Sequence, residues 1–118
     1  MYALFLVLNE TDYLDEILAR FVDVGVQGAT ILDSQGMASA LVRSQSRDYP
    51  LFGSLKALFE GARPYNKTIF TVLDSEELVE RTVTAVQNVL GDADHPSVGF
   101  MFSVPIGRVY PLKSEPWS

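Results

Sequence analysis

A chain of 118 residues, 47% apolar and 20% charged, has the size and balance of one globular domain that buries about two-thirds of its unfolded surface. It holds no cysteine, which excludes disulfides, thiolate nucleophiles and zinc–thiolate sites and fits a reducing cytoplasm. The net charge of −6 argues against nucleic acid, whose binding rests on many Lys and Arg contacts to phosphate.

The first apolar run, residues 2–8, is too short to span a membrane and has no basic lead-in, so it is expected to be a strand rather than a signal peptide. Tyr2, Leu4, Leu6 and Leu8 alternate with Ala3, Phe5 and Val7. Both faces are therefore apolar, and both need cover. Thr11 or Asp12 can cap a helix in which Leu14, Ile17, Leu18, Phe21 and Val22 share one face, with Gly25 as its C-terminal cap. Ala29 to Asp33 are expected to form the second strand.

The third strand is expected at Lys67 to Leu73, which leaves a connection too long for a hairpin loop. Its first part, Ser34 to Asp48, is rich in Ser, Gln and Arg. In its second part Pro50 can start a short helix with Leu51, Leu55, Leu58 and Phe59 on one face. Arg43, Arg47, Lys56, Arg63 and Lys67 face only Asp48 and Glu60, so residues 43–67 carry +3 and the rest of the chain −9. A cationic segment on an acidic body suits a small anion or an acidic partner, and equally a solvated loop.

Asp74-Ser75-Glu76-Glu77 carries the spacing of a capping box, and Val79, Val83, Val86 and Leu90 line the helix behind it up to Gly91. A fourth strand is expected over Val98 to Val104, closed by Pro105. Residues 1–112 form one domain in this reading, and 113–118 a tail.

Phe5-Leu6-Val7-Leu8-Asn9 resembles Phe70-Thr71-Val72-Leu73-Asp74, and the same shift maps Leu14, Leu18 and Phe21 onto Val79, Val83 and Val86. Two strand–helix–strand units give an α+β, ferredoxin-like β-α-β-β-α-β sandwich: a four-stranded antiparallel sheet with two helices on one face. The other face is left bare although the first strand is apolar on both sides, which predicts a homo-oligomer.

Catalytic constellations are missing. His95 is the only histidine, so a triad or a multi-histidine metal site is excluded, and Asp92, Asp94 and His95 read as a polar turn rather than a cation site. Asp15-Glu16 and Glu76-Glu77 complement helix dipoles. The loop after the first strand, Asn9-Glu10-Thr11-Asp12, is acidic and repels phosphate, and no P-loop or GxGxxG is present. An enzyme is not expected.

Gly25-Val26-Gln27-Gly28-Ala29-Thr30-Ile31, preceded by Leu14-Asp15-Glu16 and followed by a long loop, resembles the PII nitrogen-regulatory signal-transduction proteins. Gly99-Phe100-Met101-Phe102-Ser103-Val104-Pro105-Ile106 resembles their last core strand, so the likeness covers residues 2–110. It implies a cytoplasmic homotrimer with adenine nucleotides (ATP, ADP or AMP) in clefts between subunits, and a long loop that contacts a regulated protein, a transporter or an enzyme. Carried over, Thr30 matches the threonine beside the adenine, Gly36 a glycine at the base of the loop, and Gly99 the glycine before the last strand. Phe100 stands where the family has a lysine, and the C-terminal bases reduce to Arg108 and Lys113. Arg63, Lys67 and Arg108 are then the candidate phosphate ligands, with Met37, Arg43, Arg47 and Tyr49 the candidate partner contacts. The alternative is a protein-binding trimer of the same fold without a nucleotide.

Overall fold

The computed structural model describes residues 1–37, 65–91 and 98–113. The expected short helix after Pro50, the candidates Arg43, Arg47, Tyr49 and Arg63, the turn at His95 and the tail after Lys113 all lie outside the described residues.

Four strands, β1 (Tyr2–Leu8), β2 (Thr30–Ser34), β3 (Asn66–Leu73) and β4 (Gly99–Pro105), and two helices, α1 (Leu14–Val24) and α2 (Glu76–Leu90), make an α+β fold. The sheet order is β2-β3-β1-β4, and all three pairings are antiparallel. This order and the two helices are compatible with a ferredoxin-like arrangement. The two similar strand segments of the sequence are direct neighbours, with Phe5 opposite Phe70.

The core lies between the sheet and the helices. Leu4, Leu6 and Leu8 from β1 and Ile69 and Leu73 from β3 meet Ile17 and Phe21 of α1 and Val79 and Val86 of α2. Alternation along β1 sends the even-numbered side chains into this layer and leaves Ala3, Phe5 and Val7 on the opposite face.

The helices depart from expectation at their starts and along one face. Neither Thr11 nor Asp12 caps α1; a single 3-10 turn, Thr11–Tyr13, leads into it and no side chain caps its first turn. Val22, expected in the apolar stripe, is 73% exposed. The buried stripe of α1 is narrower, centred on Ile17 and Phe21 with Leu14 and Leu18 at its margins, because α2 packs on only one side of it. Gly25 closes α1 in the left-handed conformation at φ 101°, its N–H bonded back to Val22. Ser75 caps α2, its hydroxyl accepting the Leu78 N–H at 3.1 Å; the residue three on is Leu78 rather than a Glu, so the expected capping box does not form. Gly91 follows the last residue of α2 but in right-handed conformation, so it ends the helix without a left-handed cap.

Candidate functional site

At one end of the sheet the two arms of the long connection leave side by side. Asp33, Lys67, Leu8 and Gly99 form one row across all four strands. Strands are spaced about 4.8 Å apart, so Lys67 and Gly99 are roughly 10 Å from each other. Lys67 Nζ is held by the Asp33 carboxylate across the β2–β3 pair. At Gly99 a Cβ would run into the Val7 carbonyl oxygen, and its φ is 151°. This glycine is therefore required for β4 to start against β1, whatever else it contacts.

A polar cluster lies beside this row on the face away from the helices. Ser34 Oγ bonds the side chain of the buried Asn66 and lies 2.8 Å from Thr68 Oγ1, while Asn66 Nδ2 donates to Asn9 Oδ1 at 3.2 Å. Gly36 packs near the Asn66 amide. The base of the connection is thus pinned by hydrogen bonds from both of its arms. Met37, the last described residue before the connection, is exposed.

The second group of candidates sits elsewhere. Thr30 opens β2 opposite Phe70 and is exposed on the face away from the helices. The segment before it, Gly25 to Gly28, runs toward the Met1 end of the sheet, where the Thr71 hydroxyl donates to the Gly28 carbonyl. There it shares a hollow of about 520 Å³ with Asp74, Leu78, Val109 and Pro111. The Ile106 N–H continues the ladder to the Met1 carbonyl at 3.0 Å, so Arg108 lies beyond this end. From Gly99 to Pro105 the strand alone covers about 20 Å at ~3.3 Å per residue. Gly36, Lys67 and Gly99 therefore gather at one end of the sheet, and Arg108 lies beyond the other. Thr30 lies between them on the bare face.

That face carries the feature sequence reasoning missed. Phe70, Phe5 and Phe102 stand in one row across β3, β1 and β4, with ring centroids 5.7 and 4.9 Å apart. Phe100 extends the stack at 6.1 Å from Phe102. Phe100 is 60% and Phe102 45% exposed; Val104 stands exposed beside Phe102 on β4, and Leu32 is exposed on the same face at the far edge, on β2. Every one of these phenylalanines was visible in the sequence. Their assembly depends on register, which no single strand reveals.

Among the described residues no three His, Asp or Glu side chains gather as a metal site, and no helix is long and apolar enough to cross a membrane. No protein-family model and no curated protein matches the sequence.

Proposed function

We propose that this chain is a PII-like, ferredoxin-fold signalling protein that works as a homotrimer. It binds a small anionic effector, an adenine nucleotide first among the candidates, in clefts between subunits and signals through residues 34–66. One observation supports this above the others: among the described candidate effector residues, Gly36, Lys67 and Gly99 gather at one end of the sheet while Arg108 lies beyond the other. A ligand touching both groups needs one end from each of two neighbouring copies. An aromatic face left in water is a costly surface that association would bury, at about 25 cal/mol per Å². The Gly25–Thr30 segment and the last core strand carry the family likeness on which the nucleotide rests.

The second reading, a protein-binding trimer without a nucleotide, is favoured by two specific facts. Lys67 is engaged by Asp33, and Phe100 extends an aromatic stack where a phosphate-binding lysine would stand. Calorimetry against ATP, ADP, AMP and cyclic nucleotides, with and without 2-oxoglutarate, separates the two. Saturable binding of any adenine nucleotide is the expected result; silence across the panel favours the scaffold.

A further inference from the structure

The chain continues past β4 as an arm, residues 106–113, that forms no helix or strand and bends at Gly107 and again at Leu112 and Lys113. The half-buried Val109 and the exposed Pro111 line the hollow beside the chain's own Gly25–Gly28 segment. Arg108, Tyr110 and Leu112, the alternate positions, face away: Tyr110 is 72% exposed, Leu112 fully so, and the Arg108 guanidinium sits 5.4 Å over the Tyr110 ring. The outer side of the arm therefore carries a cationic, aromatic and aliphatic stripe.

A surface that complements the stripe lies at the opposite edge of the sheet. Between α2 and β4 runs a groove of about 570 Å³, walled by Val83, Leu90 and Met101, with Glu80 at its side. Its floor is an open strand edge. The Ile106 N–H and the Val98 carbonyl both point at β1. By the alternation of an antiparallel ladder, the backbone groups of Gly99, Met101 and Ser103 point outward. Pro105 also falls on the outward side, where its missing N–H leaves no ladder bond unmade. Among the described residues no strand pairs with this edge.

We infer that the arm of one copy lies along this edge in a second copy, adding a short strand to β4. Tyr110 and Leu112 enter the α2–β4 groove, and Arg108 meets Glu80. The arm cannot serve its own groove. It crosses toward Gly25–Gly28, on the β2–β3 side, whereas β4 is the far edge of the sheet. Three properties match: backbone donors and acceptors on the edge, an apolar slot beside it, and a carboxylate for the only cation of the stripe. The contact is also continuous with the bare face, because Phe100 and Phe102 project from the same strand. It rests on the reading of the chain as an oligomer and adds the segment that joins the copies.

Because the chain has no cysteine, disulfide trapping gives a clean test. The double variant Ser103→Cys/Leu112→Cys is oxidised mildly at micromolar concentration and run on a non-reducing gel, with Ser103→Cys/Val22→Cys as the control. Covalent multimers in the first and not the second are expected. Multimers no more abundant than in the control would overturn the inference, as would efficient trapping in Ser103→Cys/Thr30→Cys instead, which would put β2 on that edge. Light scattering on the unoxidised samples keeps the two levels apart. An oligomer without the 103–112 link overturns the arm alone, and a monomer overturns the oligomeric reading as well.

Discussion

Gly99 and Lys67 were both singled out as effector residues, and their surroundings give each a structural role of its own. At Gly99 the Val7 carbonyl occupies the space a Cβ would need. Gly99→Ala is therefore expected to destabilise the fold by about 1–3 kcal/mol or more, as a strained backbone position does, seen as a lower denaturation midpoint with or without any nucleotide. Lys67 is tied to Asp33, whose own side chain is largely in solvent. Such a pair is worth about 0–1 kcal/mol, so Lys67→Met should hardly move the melting temperature. Asp33→Asn leaves the ammonium without its carboxylate and makes the row less acidic. If Lys67 serves an anionic effector, titration calorimetry should show that variant binding nucleotide more tightly than the parent, and Lys67→Met more weakly. Equal affinities in all three would remove Lys67 from the site.

The elements follow from local patterns. Continuous apolar alternation located β1, the i, i+3, i+4 spacing located both helices, and glycine and serine marked their ends at Gly25 and Ser75. The boundaries of β2, β3 and β4 moved by one residue, a shift within the fraying of strand ends. Val22 was misjudged because helical periodicity identifies a face but not its width; the width depends on what packs beside it. The site was less legible. Thr30 and Gly99, both candidates for the effector site, stand on opposite edge strands of one chain, and the aromatic row exists only once β3, β1 and β4 are in register. The Ser34–Asn66–Asn9 cluster gave no signal either, since its members come from three separate segments. The row leads to a prediction at this scale. Phe102 is nearly half exposed, so Phe102→Asp should leave the far-ultraviolet circular dichroism unchanged while lowering the sedimenting mass to that of one chain.

In the whole molecule three surfaces have different characters. The outer helix surface is acidic, with Asp15, Glu16, Asp23, Glu76, Glu77 and Glu80 against Arg20 and Arg81, and it stays compatible with water. The opposite sheet face is aromatic across β3, β1 and β4 and polar where Ser34, Asn66 and Thr68 meet, and the candidates Gly36, Lys67 and Gly99 lie at one end of the sheet with Arg108 beyond the other. The proposed association through the bare face would cover the side of β1 that the helices leave open. Under that proposal the sites belong to the assembly, so nucleotide binding and oligomerisation should be lost together in Phe102→Asp. The account depends most on the number of copies in solution. Light scattering of the parent protein at micromolar concentration should give three times the mass of the 13.1 kDa chain; a mass of one chain would contradict it.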